Sequence, residues 1–202
     1  MTLTTANETS NSNSIVLQMS PVISLDEDDL FNFCQLNSHL RIERTATGKL
    51  IIMPPTGSET GNRNFKLIQQ LANWTDRDGT GIGFDSSAGF ILPNGATRSP
   101  DASWIKLTKW NTLSNEQKAK FAPICPDFVV EIMSPSDDLE TLQNKMQEYI
   151  DNSASMGWLI DRSSRKIYIY LPNKNVEILE NPVTVKGDPL LVGFELDLTK
   201  IW

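Results

Sequence analysis

The chain has one histidine, His39, and two cysteines, Cys34 and Cys125, in 202 residues. A single imidazole gives a histidine-rich zinc site or a Ser-His-Asp triad little to draw on. The cysteines stand far apart and near no histidine cluster, which reads as two reduced core thiols in a cytoplasmic protein. No apolar run approaches the roughly 18–20 residues that a membrane span requires. The opening MTLTTANETSNSNS has neither a basic residue nor the apolar centre of a secretory leader, so a cytoplasmic location is expected. Basic excess is missing as well: 25 acids against 18 lysines and arginines give a net charge of −7. Duplex DNA binding draws much of its affinity from neutralised phosphates, so this balance argues against tight non-specific binding. Local basic patches remain open to such a chain, because patches matter more than sums.

What is present suits a soluble globular protein. Apolar residues make up 39% and charged residues 21%, and the length suffices for one domain with a full core. Residues 1–20, rich in Ser, Thr and Asn, read as a disordered or loosely attached tail, and 21–202 as a single domain. SLDEDDLFNFCQLN predicts a helix capped by Ser24. LRIERTATGKLIIMPP predicts two strands around Thr47-Gly48. GSETGNRNFKLIQQLANWTDRDG places Leu67, Ile68, Leu71 and Trp74 on one helical face, stopped by Gly79. GIGFDSSAGFILPNGA reads as paired strands and SPDASWI as another. Asp137 and Glu140 predict the start of a helix running to about Ile150. Strands MGWLID and KIYIYL follow. The order of elements predicts an α/β fold, a central mixed sheet flanked by helices.

Chemistry concentrates in PDFVVEIMS. Period-2 alternation sends Phe128, Val130 and Ile132 to one face and Val129, Glu131 and Met133 to the other. An ionised Glu131 between Val129 and Met133 is costly to bury without a positive partner. A hard divalent cation such as Mg²⁺ fits, since it takes one or two carboxylates and keeps waters. A solvent-facing Glu on an edge strand, or one paired with a lysine, fits the same pattern. Asp101, after Pro100 at a strand entrance, is by itself ordinary turn chemistry.

SPD, then PDFVVEIMSPS with a helix after it, resembles the PD-(D/E)XK nuclease superfamily. More closely, MPPTGSETGNRN, GFDSSAGFILPNGATRSPDASWI, APICPDFVVEIMSPSDDLETLQNKMQEYI, GWLIDRSSRKIYIY and LVGFELDL resemble the putative restriction endonuclease family of Uma type. The resemblance covers nearly everything after residue 20 and implies a restriction-endonuclease-like core. It implies a Mg²⁺-dependent (or Mn²⁺-dependent) DNA endonuclease in which Asp101 and Glu131 hold the metal and Glu59 assists through water. The strand lysine expected two residues past the Glu is Met133 here. By resemblance, a lysine on the next helix replaces it, and here that is Lys145.

At about 100° per residue, Lys145 falls on the shoulder of the stripe Leu142, Met146, Tyr149 and Ile150, whence its stem can reach the strand end carrying Glu131. Pairing with Glu148 at i+3 is the alternative. Gln143, on the other shoulder, is a weaker candidate. Arg41, Arg44, Arg98, Lys106 and Lys109 are candidates for phosphate contacts. Two other readings compete. One is a catalytically degenerate nuclease fold that binds nucleic acid or protein. The other is an interaction protein using its tryptophans, Trp158 and Trp202 among them, at an oligomer interface. Cutting two strands needs two sites, so an active nuclease would suit a homodimer.

Overall fold

The computed structural model describes residues 14–202. Strand β1 (Ile15–Leu17) leads into helix α1 (Glu27–Leu36), the hairpin β2 (Arg41–Arg44) and β3 (Leu50–Met53), and the long helix α2 (Ser58–Asp78). Next come β4 (Gly81–Asp85), β5 (Phe90–Ile91), β6 (Thr97–Arg98) and β7 (Ala102–Lys106), then short helices α3 (Leu107–Trp110) and α4 (Asn115–Ala119). The second half holds β8 (Phe128–Met133), α5 (Leu139–Asp151), β9 (Met156–Asp161) and β10 (Lys166–Tyr170). It finishes with β11 (Glu177–Glu180), β12 (Thr184–Lys186) and β13 (Glu195–Asp197).

Six strands form the central sheet in the order β11-β10-β9-β8-β7-β4. Only β8 and β9 run parallel, and α5 is the crossover that parallel neighbours require. A second sheet, β1-β3-β2-β6-β5, is antiparallel throughout. The mixed sheet with flanking helices expected from the sequence is therefore the architecture found.

Alternation along β8 divides the core. Phe128, Val130 and Ile132 pack with Leu67, Leu71 and Trp74 of α2 and with Phe194 and Leu196 near the C-terminus. Val129, on the opposite face, packs with Met146 and Tyr149 of α5 and with Phe90 and Leu92. Aromatic contacts hold the first layer: Phe128 meets Trp158 edge-on at 4.8 Å, and Trp158 stacks on Phe194 at 5.9 Å. Trp104 and Trp158 are thus core residues, 1% and 0% exposed, which removes Trp158 from any oligomer interface. Gly157 on β9 lets α5 sit close, because a Cβ there would press on the end of Met146.

Several expectations need correction. Of the expected tail, residues 1–13 lie outside the described residues, but Ile15–Leu17 pair with Leu50–Ile52 as an edge strand. The backbone ladder carries this strand, whose side chains stay exposed, so polar flanking composition concealed it. The cap of α1 is Asp26, which accepts from Asp29 N at 2.8 Å, rather than Ser24. Asp138, accepting from Thr141 N, caps α5, while Asp137 accepts from Ser134 N in the preceding turn. GIGFD and FI do not pair with each other. β4 joins β7 and β5 joins β6, because the Asp85–Ser87 turn separates them into different sheets. No helix among the described residues is long and apolar enough to cross a membrane.

The Trp104 indole occupies the space where a Cβ on Gly81 would stand, whereas a Cβ on Gly83 meets nothing nearer than Thr75 Oγ1 at 3.6 Å. Gly81→Ala should therefore destabilise by about 1–3 kcal/mol and Gly83→Ala by clearly less, read as shifts in the urea unfolding midpoint.

Candidate active site

Asp101 and Glu131 meet because β7 and β8 are antiparallel neighbours. Ala102 lies opposite Val130, so one step back along β7 brings Asp101 beside Glu131. Asp101 Oδ2 accepts from Ile132 N at 2.8 Å, which fixes the carboxylate against the strand. Both acids are largely buried, at 8% and 5% exposure. From α5, Lys145, Glu148 and Tyr149 share one helical face by their spacing of three and four residues. Lys145 Nζ lies 2.8 Å from Glu131 Oε1, and Tyr149 Oη donates to the same oxygen at 3.0 Å. Glu131 Oε2 accepts no hydrogen bond among the described residues. The alternative Lys145–Glu148 pair does not form, since Glu148 is taken by Arg98 Nε at 2.6 Å.

The sequence reading missed Glu43. In RIER the acid alternates with Ile42, a pattern that ordinarily sends it to water. Here that face of β2 closes over the site, and Glu43 is 2% exposed. Its Oε1 accepts from Lys145 Nζ at 3.0 Å and from Ser99 N at 3.1 Å, and its Oε2 from Arg98 at 3.1 Å. Lys145 therefore bridges Glu43 and Glu131. Arg41, two residues before Glu43 and on the same face, donates to Ser99 O and sits 3.5 Å from Asp101 Oδ1. Asn64 of α2 donates to that oxygen at 3.2 Å, leaving its own Oδ1 buried and unpartnered.

The structure brings together Asp101, Glu131 and Lys145 but not Glu59. That side chain is 77% exposed and turned along α2 to Arg63, four residues on. Among the other candidate cations, Arg98 is consumed by Glu43 and Glu148, Arg44 donates to Leu25 O, and Lys109 donates to Cys125 O near Asp127. Lys106 is exposed, and Gln143 makes no hydrogen bond to the cluster. Arg41 and Ser99 line a surface groove of about 480 Å³ that also holds His39 and the Pro54-Pro55 pair.

Four carboxylates (Glu43, Asp101, Glu131, Glu148) face three cations (Arg41, Arg98, Lys145), leaving one negative charge in excess. The imbalance falls on Glu131. Burial, then Asp101 and Glu43, push its carboxyl from 4.5 up to about 7 against the opposing pull of Lys145. Burial would raise Glu43 too, but Lys145, Arg98 and Arg41 outweigh it and hold Glu43 down at about 2. Tyr149 is raised well above its ordinary value by burial and then by Glu131 and Glu43, so it stays a donor. No group of three or more His, Cys, Asp or Glu side chains gathers as a metal cage among the described residues. Two carboxylates with an unpartnered amide oxygen beside them fit a hard cation that keeps most of its waters, as Mg²⁺ does.

Comparison with known proteins bears on the family and the fold. The family described as Uma2, Putative restriction endonuclease, matches residues 28–199. A crystal structure of a putative nuclease of the DUF820 family from Anabaena variabilis superposes with a TM-score of 0.66 at 18% identity, over 79% of this chain and 88% of that one. At that identity the likeness establishes the fold alone. None of the curated proteins matches the chain.

The two buried glutamates make opposite pH signatures. Glu43 is depressed from 4.5 to about 2, so its stabilisation is full above about pH 4.5 and is lost as pH falls through 2. Glu131 is raised, so its ionisation penalises the fold increasingly from about pH 4.5 to 7. The stability of Glu131→Gln relative to wild type should therefore climb between pH 4.5 and 7 and level off above, measured by urea unfolding across pH. Glu43→Ala, which takes from Lys145 and Arg98 one of the two carboxylates each holds, should cost about 1–3 kcal/mol at pH 7.

Proposed function

Because the chain belongs to the Uma2 family of putative restriction endonucleases, we propose that it is a metal-dependent nuclease that hydrolyses DNA phosphodiester bonds at the Asp101–Glu131–Lys145 cluster. The observation carrying this reading is the 2.8 Å contact of Lys145 with Glu131, made from a helix while Asp101 stands alongside at the entrance to β7. Met133 supplies no charge at the strand position where the superfamily pattern has a lysine. An ammonium reaching the same carboxylate from α5 meets the same chemical need.

Asp101 and Glu131 are the residues that would hold Mg²⁺, with Mn²⁺ as a substitute. When bound, such a cation stabilises charge on the phosphate and lowers the pKa of its water. Lys145 orients the attacking water or neutralises the oxygen that gains charge. Tyr149 and Glu43 keep that ammonium and the Glu131 carboxylate in register, so neither needs to reorganise as charge develops. Arg41 is placed to meet a phosphate at the groove beside Asp101. Two copies of the chain would supply the two sites that cutting both strands requires.

The ion pairs also support a second reading, a fold that binds without cutting. Lys145 on Glu131 and Arg41 on Asp101 give each acid its own basic neighbour. Calorimetric Mn²⁺ titration separates the two, since the nuclease reading expects one cation-binding event that Asp101→Asn removes.

With Mg²⁺ or Mn²⁺, wild type should cleave plasmid and linear DNA. Asp101→Asn and Glu131→Gln should each lose at least about 100-fold, and Lys145→Ala a comparable factor while still binding Mn²⁺. Equal cleavage by wild type and the carboxylate variants would overturn the assignment.

A further inference from the structure

Beyond the carboxylates, the molecule holds a pair of arginines with almost nothing to neutralise them. Arg63 lies on α2 immediately before Asn64, which bonds Asp101. Arg162 follows Asp161, the residue alongside Met133 in the parallel ladder, two positions past Glu131. Burial first, and then the neighbouring Arg63 guanidinium, depress the ionisation of Arg162, and the one acid acting on both is Glu59. Glu59 binds only Arg63, and it does so from an exposed position. Arg63 Nη1 and Arg162 Nε are buried with no hydrogen-bond partner, and Arg162 makes no ion pair among the described residues. Two repelling cations with unused buried donors cost stability unless a ligand repays it.

We propose that Arg63 and Arg162 form an anion seat that takes a backbone phosphate of the nucleic-acid strand lying across the Asp101–Glu131 pair. This rests on the nuclease reading for the identity of the ligand, and the seat is separate from the groups that cut. Guanidiniums suit the task because their planar donors grip phosphate oxygens in pairs. The seat also explains how an acidic chain engages a polyanion: the required positive field is local, at the end of the sheet where the strand must pass. In the free protein Glu59 stands as the weak internal anion, and a phosphate displaces it readily because it is solvent-exposed.

The test uses the full chain carrying Glu131→Gln, which the nuclease reading expects to cut far more slowly, and measures anisotropy of a labelled DNA duplex over a range of salt concentrations. Adding Arg162→Gln or Arg63→Gln should weaken binding several-fold and lower the salt slope by about one unit per arginine. Arg162→Lys should retain part of the affinity. Arg162→Gln should unfold at equal or higher urea than its parent, because it removes a half-buried charge that repels Arg63; a purely structural arginine would give the reverse. In the cutting-competent background, Arg162→Gln should leave turnover of a small phosphodiester with no neighbouring phosphate unchanged.

Unaltered affinity and slope in both glutamine variants would overturn the seat while leaving the nuclease assignment intact. Failure of the parent to bind DNA at all would overturn it also, as would stabilisation by inorganic phosphate with no effect of either arginine on DNA. A parent that binds through these arginines but never cuts in its wild-type form would retain the seat and sink the nuclease reading.

Discussion

Lys145 stands between Glu131 and Glu43, and the region around it is built on keeping one ammonium within 3.0 Å of both. Each carboxylate comes from a different sheet, Glu131 from the central one and Glu43 from the smaller one, so the lysine also ties the two together. The charges are nested rather than paired. Arg98 shares Glu43 and Glu148, Lys145 shares Glu43 and Glu131, and Arg41 reaches Asp101, so Glu43 links the two doubly paired cations. Burial of so many charges is tolerable only where hydrogen bonds saturate them. The cluster still carries one more carboxylate than cations, and under the proposed nuclease reading that imbalance at Glu131 is what a metal ion would offset.

The division of labour between the helices follows from their positions. α5 delivers Lys145, Glu148 and Tyr149 from a single face, so three polar contacts depend on one packing event against β8 and β9. α2 brings Asn64 to Asp101 from the opposite layer. The carboxylate pair thus lies at the seam between the two cores, at the sheet end, where backbone can approach without filling the space.

Much of this was legible in the sequence. Strong periodicity gave α2, α5, β8, β9 and β10, and alternation in FVVEIM put Glu131 on the face of Val129 and Met133, which the structure turns toward α5. Resemblance picked out Asp101 and Lys145 despite Met133. What escaped were features that depend on distant partners. Glu43 has the pattern of a surface acid, and only the closing of β2 over α5 makes it central. Glu59 was expected at the metal because of its place on the first long helix, but an arginine one turn on claims it locally. β1 was hidden because its run of Ile15, Val16 and Leu17 is only three residues long, shows no alternation and sits in a polar flank. Asp26 and Asp138 outcompeted Ser24 and Asp137 as caps by one or two residues, a scale at which sequence pattern has no resolution.

Gly157 has a reach well beyond its own size. Since Met146 rests where a Cβ would project, and Lys145 is the adjoining residue on the same helix, the height at which α5 rides on the sheet is set at a position bearing no side chain. The flexible end of Met146 can swing aside for a methyl group, but a bulkier residue, meeting Val129 and Tyr170 as well, would lift the helix and draw the ammonium, the phenol and the Arg98 anchor away together. Relatives differing at this one place could therefore differ in turnover with every polar group of the site unchanged in identity.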